Sequence, residues 1–296
     1  MASDSSEAPM HYLVTGAARG IGRGLARSLL SRGHRVFLVD SNKPELENTL
    51  SLASSWAKPP SSASSPPAFQ GRVVDLADRA QLKSAVAEAS TFFDARLDVL
   101  VNNAFATPHT WSGGRRMDDA DDDDAVEREW DVKLAVGLTA PFLLARLCVP
   151  MLAARAKTGE PGRQGRPAGG SVVNVASTRA HQAEPNHEAY SAAKAGLLGL
   201  TRSMAVSLGE AHGIRVNAVT PGWIDVDDEN AAADARGAGW GEALGEADHA
   251  WHPAGRVGRV DDVARTVVFL AESGFVTGEE IVVDGGVTKK MVYPEE

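Results

Sequence analysis

Tyr190 and Lys194 stand four residues apart in Tyr-Ser-Ala-Ala-Lys, a spacing that places a phenol and an ammonium on one face of a helix. Free tyrosine, with a pKa near 10, is a poor proton donor or acceptor at neutral pH. A neighbouring ammonium favours the phenolate and is expected to bring that pKa toward the working range. Ser177 lies thirteen residues before Tyr190, just beyond the apolar run Ser171–Val175. In a parallel sheet, a residue past a strand's carboxyl end faces the ligand crevice, so Ser177 is expected to hydrogen-bond a substrate oxygen beside Tyr190. Such a trio would move a proton to or from a carbonyl or alcohol oxygen. A Tyr-x-x-x-Lys pair by itself is common on exposed helices, and it acquires meaning only beside a second constellation.

That second constellation is the glycine turn Thr15-Gly-Ala-Ala-Arg-Gly-Ile-Gly22, which follows an apolar run and opens a helical pattern. A strand turning sharply into a helix presents unpaired backbone N–H groups and the positive end of the helix dipole to an anion. Gly16, Gly20 and Gly22 allow the tight turn, the close approach of a pyrophosphate and close helix packing. Asp40 ends the next apolar run, 18 positions after Gly22, where a carboxylate accepts from ribose hydroxyls and repels a 2′-phosphate. Arg19 is the cation that would pair with such a phosphate, but Ser41 and Asn42 place none directly beside Asp40. The balance favours NAD over NADP. Asp75 follows a third run and reads equally as an acceptor for an adenine amino group or as a helix N-cap, with Leu76 behind it.

The elements that must position these groups are legible as alternating short apolar runs and amphipathic segments. The runs are His11–Val14, Arg35–Val39, Arg72–Val74, Asp98–Val101, Ser171–Val175, Arg215–Val219 and Glu280–Val283. Helical patterns cover Gly20–Ser31, Arg79–Phe93, Ala125–Ala154, Ala189–Ala211 and Val260–Leu270. The pattern predicts an α/β fold: one doubly wound, Rossmann-type parallel sheet of about seven strands with helices on both faces. Near-continuous apolar runs predict strands buried on both sides. The chain of 296 residues is long enough to bury roughly three quarters of its unfolded surface in one large core. The motif spacing predicts one domain over residues 1–296, with residues 1–9 as a flexible tail.

Composition removes several function classes. Cys148 is the sole cysteine, which excludes a disulfide framework and a cysteine zinc cluster, and no metal is expected. A net charge of −9 argues against nucleic acid and anionic membranes as partners. Met1–Pro9 lacks the basic start and apolar run of a signal peptide, and the apolar stretches read as shorter than the roughly 20 residues of a membrane helix. A cytoplasmic protein is the expectation. Pro59–Pro67, Asp118–Asp124 and Lys157–Gly170 read as surface insertions. The aspartate run is no calcium loop, because its sixth position is Asp123 rather than Gly.

The motifs together resemble the short-chain dehydrogenase/reductase family over about His11 to Gly286. The matching segments are TGAARGIG (15–22), Asp75-Leu76, NNA (102–104), Ser177, YSAAK (190–194), Asn217 in RVNAVTPG, Pro221-Gly222 and VDGG (283–286). The resemblance implies that Ser177 holds the substrate oxygen and that Tyr190 exchanges its proton. It gives Lys194 the task of lowering the Tyr190 pKa and binding the nicotinamide ribose. Asn102, Ala104 and Ile21 are implied to support or line the cofactor, and Pro221, Gly222 and Ile224 to lie by the nicotinamide.

Three positions depart from the family pattern. Phe105 replaces the glycine of NNAG, and its side chain either narrows the space beside the cofactor or turns away. Gly137 stands where the family has an Asn that helps hold a water linking the lysine to solvent. Val226 replaces a threonine that helps hold the nicotinamide amide.

Between the sixth run and the last helical pattern, the resemblance puts a mobile substrate lid over Trp223–Pro253. Its glycines permit hinge motion, and Trp240 and Trp251 read as substrate cover or as packing residues. His181 and Gln182 are candidate pocket residues, whereas His187 reads as a surface position. The leading expectation is an NAD(P)-dependent oxidoreductase interconverting a secondary alcohol and a carbonyl of a small molecule. A cofactor-binding sensor or scaffold of the same fold is the alternative, kept open by Gly137, and an epimerase or dehydratase is a third. The resemblance also implies a homo-oligomer, a dimer or tetramer, through the long helices bearing Trp130 and Tyr190.

Overall fold

The computed structural model describes residues 9–59, 62, 64–119, 123–154 and 169–291. The expected tail lies outside these residues but for Pro9, as does most of the insertion 157–170 and part of the other two. Seven parallel strands form one sheet: β1 (His11–Thr15), β2 (Arg35–Asp40), β3 (Phe69–Val73), β4 (Val99–Asn102), β5 (Ser171–Val175), β6 (Arg215–Pro221) and β7 (Glu280–Val283). Their order is β3-β2-β1-β4-β5-β6-β7. The order reverses between β1 and β4, and a crevice at such a switch point opens at the strands' carboxyl ends.

Period-two alternation sorts the strand residues into two cores. Tyr12 and Val14 face one apolar cluster while Leu13 faces the other, and Val36 and Leu38 part from Phe37 and Val39 in the same way. The first cluster is covered by α1 (Gly20–Ser31), α2 (Lys43–Trp56) and α9 (Val260–Glu272). On the opposite face lie α3 (Arg79–Phe92), α5 (Ala140–Ala154) and α6 (Glu188–His212). Central strands are buried as expected, but β3 and β7 are half-buried because they form the two edges. β3 also starts three residues earlier than its apolar run. Its sequence FQGRV has few β-formers, and Gly71 within it makes room for α2: a Cβ there would meet Leu50 Cδ1 at 2.6 Å.

The long pattern Ala125–Ala154 is not one regular helix. α4 (Asp123–Leu134) passes through a π-turn at Ala135–Thr139 before α5 begins. π-turns inside helices often mark functional positions. The helical run Asp124–Ala154 also has an 18-residue window of mean hydropathy 1.7, long and apolar enough to cross a membrane, which corrects the expectation of short, interrupted apolar stretches. Its charges cluster in the first two to three turns, and the apolar remainder is a core helix. Leu144, Ala145, Cys148, Met151 and Leu152 all sit in the second cluster. Burial pushes the Cys148 thiol up to about 12, which leaves it inert. Two short helices, α7 (Ala231–Arg236) and α8 (Glu246–Ala250), occupy the expected lid.

Candidate active site

The carboxyl ends of β1, β2, β4, β5 and β6 surround a cleft of about 980 Å³. On one side runs the glycine turn. Gly16 has φ +65°, and a Cβ on it would meet Ala104 Cα at 2.8 Å, so neither the backbone angle nor the space admits a side chain. Gly16, Arg19, Gly20, Ile21, Asp40, Asp75, Leu76 and Ala104 all line the cleft. Gly22 does not; it lies beneath the turn, where a Cβ would overlap the Gly16 carbonyl. Asp40 is held by two backbone donors, Ala18 N at 3.0 Å and Asn42 N at 2.9 Å. Asp75 accepts from Ala77 N at 2.9 Å. It is not the N-cap of α3: that role belongs to Asp78, which accepts from Ala80 N at 2.7 Å.

The two asparagines at the end of β4 divide their tasks. Asn102 Nδ2 donates to Asn174 Oδ1 across the sheet at 2.9 Å, and Asn174 in turn donates to Thr201 on α6 at 2.8 Å. Asn102 is thus a buried tie between strands, while Asn103 lines the cleft and donates to Thr15 O and Gly16 O at 3.0 Å each.

Ser177, Tyr190 and Lys194 meet on the opposite wall, as the spacing requires. Ser177 follows β5, and Tyr190 and Lys194 share one face of α6 near its start. Lys194 is 3% exposed, and its Nζ donates to Val175 O at 2.6 Å. Burial lowers its pKa from 10.5 to about 8. The Tyr190 phenol moves opposite to expectation. Burial raises it, and hydrogen bonding with Ser177 and the Arg179 charge pull it back only in part. The reason is placement: Nζ lies 5.5 Å from the Tyr190 ring centroid and is committed to a carbonyl.

Packing around the phenol explains its burial. Phe105 meets Tyr190 edge to face at 4.7 Å, and His109 stacks on it at 4.3 Å with 26° between planes. Phe105 turns toward the π-turn, where a Cβ on Gly137 would meet its ring at 2.7 Å. The departures at 105 and 137 are therefore one compensated pair: the glycine leaves space that the phenyl ring fills. The ring also stands 5.5 Å from Lys194 Nζ.

The loop 103–117 carrying these rings is stapled from three sides. Arg19 donates to Thr107 Oγ1 at 2.8 Å, Lys133 Nζ to Thr110 O at 2.5 Å, and Trp111 Nε1 to Glu188 Oε2 at 2.8 Å. Glu129 anchors the far end. Against the upward push of burial, Lys133, Arg115 and Ser112 hold its carboxylate down to about 2.

Pro221, Gly222 and Ile224 line the remaining wall. Beyond them the chain crosses back over the glycine turn, with Val226 3.8 Å from where a Gly20 Cβ would stand. The Glu229 carbonyl accepts from Gly20 N at 2.8 Å. The Glu229 carboxylate, 1% exposed, pairs with Arg23 at 3.4 Å and Arg27 at 2.5 Å on α1. Other expected lid contacts are elsewhere. Trp240 packs over Arg259 at 3.9 Å, and Trp251 is 45% exposed beside Lys290. His181 bonds Glu280 at 2.7 Å, and neither it nor Gln182 lines the cleft. His187 sits 6.2 Å from the Tyr190 ring, against Glu184. Among the described residues, no three His, Cys, Asp or Glu side chains are grouped to hold a metal ion.

A model of the family described as enoyl-(acyl carrier protein) reductase matches residues 16–288. The chain is also 33% identical over 292 residues, 96% of its length and 97% of the relative's, to an uncharacterized oxidoreductase of Thermotoga maritima. The chain belongs to the short-chain dehydrogenase/reductase family. Another relative in this family, a D-threitol dehydrogenase of Mycolicibacterium smegmatis, is 31% identical over 94% of this chain and 92% of its own. Among solved short-chain dehydrogenase/reductase structures, an apo SCOR enzyme from Clostridium thermocellum superposes with a TM-score of 0.72. It has 32% identity and covers 97% of this chain and 96% of that one. The seven-stranded parallel sheet is thus the family's Rossmann-type fold, and the chain is an oxidoreductase of this family.

His109, Thr107 and Glu229 are cleft residues outside every motif quoted above. Thr107 and His109 follow the NNA motif by three and five residues, but the contacts that aim them, to Arg19 and Tyr190, are long-range.

Proposed function

We propose that this oxidoreductase interconverts a secondary alcohol and a carbonyl in a small-molecule substrate, with Tyr190 as the acid/base. The convergence of Ser177, Tyr190 and Lys194 opposite the glycine turn carries the reading. The cleft suits a nicotinamide dinucleotide: Gly16 forms a cradle that a Cβ would fill, and Asp40 is already fixed by two backbone donors. Gly16, Gly20 and Ile21 would hold the pyrophosphate and Asp40 the adenosine ribose. Asp75 and Leu76 would flank the adenine. Lys194 would hold the nicotinamide ribose, with Pro221, Gly222 and Ile224 beside the nicotinamide. When bound, the cofactor supplies the hydride donor or acceptor.

Ser177 orients the substrate oxygen. Tyr190, a neutral phenol at pH 7, gives its proton to that oxygen as a carbonyl is reduced; in oxidation it must first lose its proton to solvent, and its phenolate then takes the alcohol's, a step the raised pKa places at higher pH. The NAD preference rests on Asp40, with the Arg19 guanidinium engaged by Thr107 Oγ1 at 2.8 Å. A homo-oligomer in the cytoplasm remains part of the reading. Its support is the apolar exposure of Val132 on α4, Phe142 on α5 and Val206 on α6, at 47%, 44% and 61%.

The test is Tyr190→Phe assayed on a panel of alcohols and carbonyls with NAD and with NADP. The expected result is a fall in kcat of about 10²- to 10⁴-fold with cofactor affinity by calorimetry unchanged. Full turnover in the variant removes Tyr190 as acid/base, and a clear NADP preference in the wild type removes the role given to Asp40.

A further inference from the structure

His109 projects from the stapled loop into the substrate side of the cleft, stacked on Tyr190 at 4.3 Å and braced by Phe105 at 5.8 Å. Two ring contacts and three loop staples fix its plane, so the imidazole is a preorganised part of the wall. Among the described residues neither of its ring nitrogens has a hydrogen-bond partner, and the side chain is open to the cleft. Partial enclosure between Phe105 and Tyr190, and then the charges of Lys194, Lys133 and Arg179, oppose its protonation. A neutral imidazole presents one donor and one acceptor. A hydroxyl group likewise both donates and accepts, whereas a carboxylate only accepts and an ammonium only donates.

We infer that His109 is a specificity-determining residue that hydrogen-bonds a hydroxyl on the carbon next to the reacting one, making the substrate a vicinal diol or its hydroxy ketone. The inference rests on the reaction proposed above, since the substrate must be seated on Ser177 and Tyr190 for its neighbouring carbon to face His109. The stacking geometry supplies the proximity: the imidazole lies over the ring whose phenol oxygen serves the reacting carbon. A site that offers fixed polar partners discriminates against an analogue lacking the matching group, because a bound substrate shuts those partners off from water and leaves them unpaired.

The test pairs 2,3-butanediol with 2-butanol, and acetoin with butanone, for the wild type, His109→Phe and His109→Gln. His109→Phe keeps a flat ring on Tyr190 and removes both nitrogens; His109→Gln keeps a donor and an acceptor without the ring. The wild type is expected to favour the oxygenated member of each pair at least tenfold in kcat/KM. Whatever His109→Phe costs both members by disturbing Tyr190, it should cost the oxygenated member about tenfold more than the plain one, the excess appearing mainly in KM. His109→Gln should restore part of the preference. Equal losses on both members would overturn the inference by reducing His109 to a brace for Tyr190, as would a wild type without preference. Tyr190→Phe in the same assay separates the two readings: retained turnover there sinks the proposed acid/base, while a silent His109→Phe sinks only the hydroxyl contact.

Discussion

On the side of the cleft proposed to hold the phosphates, backbone atoms do the shaping, and a Cβ at Gly16 would come within 2.8 Å of Ala104. On the substrate side, side chains do it: the loop 103–117 is held by Arg19–Thr107, Lys133–Thr110 and Trp111–Glu188 contacts spanning 88, 23 and 77 residues of sequence. The first wall inherits its geometry from sheet register and one local turn, so it has little freedom to vary. Substitution can re-aim the second without disturbing the sheet. This division suits a fold that keeps one cofactor site and changes substrates, as function carried by loops on a rigid scaffold generally does.

Breaking the phosphate wall should have the largest effect. Gly16→Val adds a branched side chain at φ +65° against Ala104 and Asn103. Calorimetry is expected to show cofactor affinity reduced by about 100-fold or more, since strain and lost approach act together. Retained affinity would mean the turn does not shape the cofactor site.

Lys194 lies at the seam of the two walls, and there stability and function should part. Its folded pKa of about 8 is depressed from 10.5, so its contribution to stability is present above about 10.5 and lost as pH falls through 8. At pH 7 the buried charge opposes folding by on the order of 3 kcal/mol, the equivalent of that shift. Lys194→Met should abolish turnover yet raise Tm at pH 7, with the gain shrinking as pH approaches 10. A lower Tm at pH 7 would show that the bond to Val175 outweighs the burial.

Gly137→Asn sharpens the comparison on the substrate side, with the smallest effect of the three. The new side chain collides with the Phe105 ring at a point 2.7 Å from its Cβ and should push that ring off Tyr190. A roughly tenfold loss in kcat/KM is expected, with cofactor affinity little changed, and Phe105→Gly in the same chain should restore most of it. Additive losses in the double variant would disprove the pairing.

The same division governs what the sequence disclosed. The first helix is legible as Gly20–Ser31 because a glycine turn and a 3.6-residue apolar period both act locally. The start of β3 is hidden because FQGRV is an edge strand with few apolar residues, packed through a glycine rather than through side chains. The fit at the π-turn has no local mark, because Phe105, whose ring fills the space beside Gly137, lies 32 residues before it. His109 escaped for a similar reason: nothing near it in the chain says that it will stack on Tyr190. Even the Tyr190 pKa followed this rule. The spacing to Lys194 correctly predicted their neighbourhood, but the aromatic cover that decides the sign comes from the distant loop.

The crossing at Glu229 has a consequence for motion. Its carbonyl caps the Gly20 amide while its carboxylate is clasped by Arg23 and Arg27 on the helix that the same turn begins. The crossing segment is therefore latched to the glycine turn, and the Gly20 amide proton can trade with solvent deuterium only when that segment lifts away from it. Exchange at that one backbone position becomes a clock for the lid, readable without any substrate in hand.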